Sequence, residues 1–168
     1  MPAGFYVAAA INGTAGAPFP FSPWYAVLPP LMIALAIGPM EEFGWRGVAL
    51  PLLQRRFAPF WADLILAGIW ATWHMPSFFL SGTPQDGLSF GAFFAGMLAI
   101  SMILCALFNA SGGSILIAAL FHFQLNNPIW PDAQPWDSVV FGVIAVAVVV
   151  LNRRAMFSRE GGATRILG

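Results

Sequence analysis

Apolar residues come in long runs separated by short clusters of Arg, Pro, Gly, Ser and Asp. The first run starts at Trp24 or Leu28 and reaches Gln54, closing on Arg55-Arg56. The second extends from Phe57 to about Leu80, the third from Phe90 to Phe108, and the fourth from Ser114 to Ile129. A fifth opens at Asp137 or Ser138 and closes on Arg153-Arg154. A helix needs about 20 apolar residues to cross roughly 30 Å of hydrocarbon. The pattern therefore predicts an all-α integral membrane protein, a bundle of about five transmembrane helices around an intramembrane polar site. Pro39 inside the first run removes a backbone hydrogen bond and predicts a kink just before Glu41. The apolar piece within residues 1–23 is too short to span, so 1–23 is expected to be an irregular, interfacial segment. Residues 24–155 form the membrane unit, and 156–168 a C-terminal tail.

Composition sharpens this reading. The 168 residues are 59% hydrophobic and 8% charged, with a mean hydropathy of +0.77; soluble domains carry roughly 25% charged residues. Net charge is zero and Lys is absent, which leaves no basic patch for nucleic acid. The single Cys105, inside an apolar run, gives neither a disulfide framework nor a Cys-based zinc site. The N-terminus lacks the basic region of a cleavable signal peptide. Alternating spans put Arg55, Arg56, Arg153, Arg154, Arg159 and Arg165 on one side, with Asp86, Asp132 and Asp137 on the other. The positive-inside rule makes the arginine side, and the C-terminus, cytoplasmic. Arginine without lysine, with abundant Ala and Gly, suggests a bacterial cytoplasmic membrane.

The remaining charges demand a chemical explanation. Glu41, Glu42 and Arg46 interrupt the first apolar run, and a charge at bilayer depth marks a functional site by default. Residues four apart share a helix face, so Glu42 and Arg46 are expected to pair and to support the site. Glu41 lies about a quarter-turn away, has no such partner in its own helix, and is expected to be the free general base. On the second run, Trp70 and His74 are four apart, with Pro76 loosening the helix beside the imidazole. On the fourth, His122 and Asn126 share a face and can donate toward one point. Asp63, near a helix start, is expected to be an interfacial residue. Gly87-Leu-Ser89-Phe-Gly91 has the spacing of a nucleophile elbow but lacks the strand-to-helix turn that motif requires. No His-Glu-x-x-His occurs; Glu41, His74 and His122 are the set that would hold zinc if the site were metal-dependent.

Glu-Glu-x-x-x-Arg-Gly, then aromatic-x-x-x-His, then His-x-x-x-Asn after a Ser-Gly turn together resemble the CPBP family. These are type II CAAX prenyl endopeptidases and bacteriocin-processing or self-immunity proteases. The likeness covers about Leu28 to Val150, with Trp70 where that family usually has Phe, and with a short N-terminal segment where it usually has further spans. It implies a membrane endopeptidase of the glutamic type, without cofactor, acting on a peptide or protein that is prenylated or membrane-bound. Glu41 with His74 would activate a water, His122 and Asn126 would stabilise the oxyanion, and Glu42 and Arg46 would brace the site. The alternatives are an inactive immunity or partner-binding protein, or a proton-coupled carrier using the same residues.

Overall fold

The computed structural model describes residues 2–131, 133–134 and 136–167, and among them every regular element is helical. Asp132, placed by the sequence on the acidic side, lies outside the described residues. Pro2–Asn12 forms α1. Leu28–Gly44 forms α2, opened by a proline in its first turn, where the missing N–H costs nothing. The chain continues through a π-helical turn, Trp45–Ala49, into α3, Leu50–Gln54. Together with the 3-10 turn Trp24–Val27 this makes one unbroken helical rod from Trp24 to Gln54. Next come α4 (Pro59–Trp73), a 3-10 turn (Met75–Phe79), α5 (Phe90–Ala110), α6 (Ile115–Leu125), α7 (Trp136–Leu151) and α8 (Arg153–Phe157).

Helix α5 is the axis of the molecule. It packs against α7 on one side and α4 on the other, while α2 lies along α6 and α1 along α7. Leu104, Cys105 and Phe108 of α5 are buried against Leu66 of α4, Leu50 of α3 and Phe141 of α7. Large side chains such as Met32, Ile37, Leu116 and Val143 face outward and are more than half exposed. A soluble protein would bury such surface; here it suits contact with lipid.

The structure corrects several boundaries. The segment expected to be irregular is helical over Pro2–Asn12, because Phe5 stacks edge-on against Phe141 and gives the short apolar piece a partner. The rod stays helical through Pro39 and carries a π turn one helical turn after Glu41. The second run stops being α-helical at Trp73 rather than near Leu80, since Pro76 cannot continue the ladder and the chain tightens into a 3-10 turn. The fourth stops at Leu125. Hence two helices among those described, Trp24–Gln54 and Phe90–Ala110, are long and apolar enough to cross a bilayer by themselves, whereas α6 and α7 are shorter.

The two ends of the bundle differ. Arg55, Arg56, Arg153, Arg154, Arg159 and Arg165 gather at one end, where the C-terminal residues fold back as a strap. Gln54 Nε2 donates to the Ala163 carbonyl at 2.8 Å, and Arg55 Nε and Nη2 donate to that of Thr164. Arg159 Nη2 donates to the Arg55 carbonyl. Asn109 Nδ2 donates to Gln54 Oε1, and its Oδ1 accepts from the Ala163 N–H. The Leu167 N–H reaches the Gly47 carbonyl at 2.9 Å, on the π turn. At the other end, the loop after α4, the loop after α6 and the start of α7 surround an opening.

Candidate active site

Trp70 is the hub on which the polar groups meet. It is 1% exposed, and α4 carries it into the middle of the bundle. Its indole N–H donates to Glu41 Oε2 at 3.0 Å, and its backbone carbonyl accepts from His74 Nδ1 at 2.9 Å. The His122 ring lies edge-on to it, with centroids 5.3 Å apart. The Arg46 guanidinium sits over its face, 4.5 Å from the ring centre, an attractive cation–π arrangement. Three of the six residues singled out in the sequence, Glu41, Arg46 and His122, thus touch one side chain, and a fourth, His74, bonds its backbone.

Glu41 and Glu42 are adjacent yet meet different surroundings. Glu41 is half-buried, and its Oε2 takes N–H bonds from Trp70 and, more weakly at 3.4 Å, from Trp45. This corrects the expectation that Glu41 lacks a partner within its own helix: Trp45 is four residues on, and an indole donates as well as packs. Glu42 is fully buried. Its Oε1 accepts from Arg46 Nη1 at 3.3 Å, as the four-residue spacing predicts, and also from His122 Nδ1 at 2.7 Å. Glu42 is therefore no closed pair with Arg46; it is the carboxylate that holds the histidine of another helix.

Behind Arg46 the network continues to groups the sequence did not place in the site. Arg46 Nη2 donates to Ser101 Oγ at 2.7 Å, and the Ser101 hydroxyl donates to Asp63 Oδ1 at 2.8 Å. Asp63 and Ser101 are both fully buried, so Asp63 is not the interfacial residue its position near a helix start suggests. A buried carboxylate requires partners; the Ser101 hydroxyl supplies one to Oδ1 and links it to the Arg46 charge, while Oδ2 has no hydrogen-bond partner among the described residues. His122–Glu42–Arg46–Ser101–Asp63 is thus a chain of polar contacts linking α6, α2, α5 and α4. Only a burial pattern could reveal it, since Ser101 lies in an otherwise apolar run.

Two side chains owe their positions to backbone breaks. His74 caps the end of α4, where Pro76 stops the helix; its Nδ1–H is committed to the Trp70 carbonyl and its Nε2 makes no hydrogen bond among the described residues. Asn126 ends α6, its backbone N–H returning to the His122 carbonyl. The turn that follows is made by Asn127, whose Oδ1 accepts from the Ile129 N–H. Asn126 therefore keeps its amide unengaged among the described residues. Both face a cavity of about 520 Å³ that is also lined by Trp70, His122, Met97 and Phe93. Gly38 of α2 closes the site from the rear. A methyl there would sit 2.6 Å from His122 Cδ2 and collide with the Asn126 amide. Glycine is thus what lets α2 approach α6 closely enough for Glu42 to reach His122.

The geometry brings His74, His122 and Asn126 to one cavity and joins Glu41 to them through Trp70. It does not gather Glu41, His74 and His122 as metal ligands: no three His, Cys, Asp or Glu side chains among the described residues are grouped to hold an ion.

Comparison with known proteins agrees with these motifs. The family model described as type II CAAX prenyl endopeptidase Rce1-like matches residues 23–127, which include every residue of the site. A similar protein is CAAX prenyl protease 2 of Methanococcus maripaludis, 28% identical over 145 residues that cover 80% of this chain. The match takes in 54% of that protein, so the chain spans about half the length of this relative.

Proposed function

The chain belongs to the Rce1-like family of type II CAAX prenyl endopeptidases, and from that premise we propose that it is a membrane-embedded peptidase that cuts a peptide bond with a glutamate-activated water. The observation that carries this reading is the double use of Trp70, whose indole holds Glu41 while its carbonyl holds His74. Hydrolysis requires a base that reaches a water and donors aimed where the oxyanion forms. Both N–H bonds to Glu41 fall on Oε2, leaving Oε1 to take a proton from water as the oxygen attacks the carbonyl carbon. His74, anchored through Nδ1, accepts a hydrogen bond from the same water at Nε2, and the proton taken up by Glu41 passes to the leaving amine as the C–N bond breaks.

On the opposite face, the unengaged Asn126 amide donates to the developing oxyanion. His122, its Nδ1 held by Glu42, lines the same cavity beside Asn126 and supports it there. Glu42 and Arg46 position this pair. The reaction so drawn needs no cofactor and no metal. The substrate is a peptide or protein segment at the membrane, prenylated if the likeness to the archaeal protease extends that far; nucleic acid has no place in it. A bacterial cytoplasmic membrane with a cytoplasmic C-terminus is part of this reading.

The test is cleavage by the purified chain in detergent or vesicles. Glu41→Gln should lower turnover by about 10²–10⁴-fold, the worth of a positioned general base, with insertion and thermal unfolding unchanged. Glu41→Gln protein that cleaves at the parent rate would exclude the mechanism and leave a binding or immunity role, or a carrier, as the better account. Full activity after chelation sets aside the two-histidine zinc variant.

A further inference from the structure

We infer that Asp63 and Ser101 are positioning residues of the site: together they fix the Arg46 guanidinium, which braces Trp70 on one side and the Glu42–His122 pair on the other. The effect on turnover rests on the peptidase reading; the bracing itself does not.

Distances decide where Arg46 is held from. Its bond to Glu42, one turn back on its own helix, is 3.3 Å, whereas its bond to Ser101 on α5 is 2.7 Å. Hydrogen bonds with one ionised partner are strong at about 2.7–2.9 Å, so the contact across helices is the firm one. Glu42 shows the same preference, with His122 of α6 at 2.7 Å. The pair within the rod is therefore the loosest link, and other helices place both of its members.

Ser101 can hold a cation in only one orientation. A hydroxyl carries a single proton and accepts through its lone pairs. To take an N–H from Arg46 its own proton must point elsewhere, and Asp63 Oδ1, 2.8 Å away, receives it. Asp63 thus sets the direction in which the hydroxyl faces Arg46.

Stability does not account for this arrangement. Glu42, Arg46 and Asp63 are fully buried, and each keeps one side-chain atom without a hydrogen-bond partner among the described residues: Glu42 Oε2, Arg46 Nε and Asp63 Oδ2. Buried charges satisfied only in part stabilise a fold less than apolar side chains of similar volume. What the network does achieve is placement. The guanidinium lies 4.5 Å from the centre of the Trp70 ring, whose residue holds Glu41 and His74 through its indole N–H and its carbonyl. Its partner Glu42 holds His122, which lines the cavity with Asn126. One cation is thus joined to both halves of the site, and Asp63 with Ser101 sets where it lies.

The test uses the full chain in detergent or vesicles. Ser101→Ala removes the relay, and Asp63→Asn keeps its shape while letting an amide donor turn toward Ser101. Each should lower kcat about 10- to 100-fold, the scale of a misplaced catalytic group, with KM within roughly twofold. Ser101→Thr, which keeps the hydroxyl, should restore kcat. Phe108→Leu, two turns further along α5 in the apolar core, should lower the unfolding temperature comparably and leave kcat near the parent value. The chain has two histidines, so nitrogen-15 spectra resolve each ring. The His122 Nδ1–H signal should shift or broaden in Asp63→Asn and Ser101→Ala. Parent kcat in both variants, or an unchanged His122 signal, overturns the inference, as does an equal loss of kcat in Phe108→Leu. Should Ser101→Ala fail to accumulate, Asp63→Asn carries the test by itself. The spectra need no turnover, so a Glu41→Gln chain that still cleaves sinks the mechanism without deciding whether Asp63 and Ser101 brace His122.

Discussion

Glu41 and Glu42 share a peptide bond and almost nothing else. Glu41 is half-buried and held by two indole N–H groups, with one oxygen left over. Glu42 is sealed from solvent, shares one oxygen between a guanidinium and an imidazole, and belongs to a five-residue chain reaching Asp63. Neutral donors hold a carboxylate in place without cancelling its charge, which suits a group that must accept a proton. A buried cation fixes its partner far more firmly and makes it expensive to disturb. One carboxylate is thus available for chemistry, and its neighbour is committed to architecture.

The sharpest way to break this contrast is to neutralise each acid in turn. Glu42→Gln leaves the Arg46 charge without its direct counter-ion, and the loss of stability should be about 3–5 kcal/mol, read as thermal unfolding in detergent. Glu41→Gln should leave unfolding nearly unchanged; equal destabilisation by both would erase the distinction. Trp70→Phe keeps an aromatic ring under Arg46 but removes the N–H to Glu41. A hydrogen bond to a charged group contributes about 1.5–3 kcal/mol, so turnover should fall roughly tenfold to a hundredfold, with smaller changes in unfolding.

Ser101→Ala takes away the hydroxyl between Arg46 and Asp63. It should destabilise the protein by about 1–3 kcal/mol through unsatisfied buried groups, and Ser101→Thr should restore most of that. The smallest effect is expected at Trp45→Phe, because its contact with Glu41 is long and weak; a change under about 0.5 kcal/mol in the activation barrier is the expectation for so poor a hydrogen bond. A larger loss there than at Trp70 would mean that Glu41 is oriented from its own helix rather than from α4.

Much of the site was legible because charges and histidines are rare in apolar runs, and each one found there requires a reason. Glu41, Glu42, Arg46, His74, His122 and Asn126 stood out on that ground, and the four-residue spacing of Glu42 and Arg46 correctly predicted their contact. Spacing along one helix says nothing about partners on another, however. That Glu42 would take His122 depends on α2 lying against α6 at Gly38, where a missing side chain is the only sequence trace. Trp70 reads as one more aromatic residue, yet its N–H is the feature that a phenylalanine cannot supply. Ser101 is silent in a hydrophobic run, and Asp63 at a helix start has an ordinary explanation that burial alone overturns. Helix lengths were misread where Pro76 and the Asn126-Asn127-Pro128 turn cut apolar runs short without ending their hydrophobicity.

The π turn at Trp45–Ala49 has a consequence for the rod that contains it. The Leu50 N–H bonds back five residues to Trp45 instead of four, which amounts to one residue inserted into an α-helix. Deleting a single residue there, Val48 for instance, would restore the four-residue ladder and rotate α3 by about 100° against the half bearing Glu41 and Glu42. Gln54 and Leu50 would leave the faces that now meet Asn109 and the core. The turn therefore works as a phase shifter, letting one rod present its acids to α6 and α4 and its far end to α5 and the strap. Proteins with this arrangement should tolerate substitutions across 45–49 more readily than any change in the number of residues there.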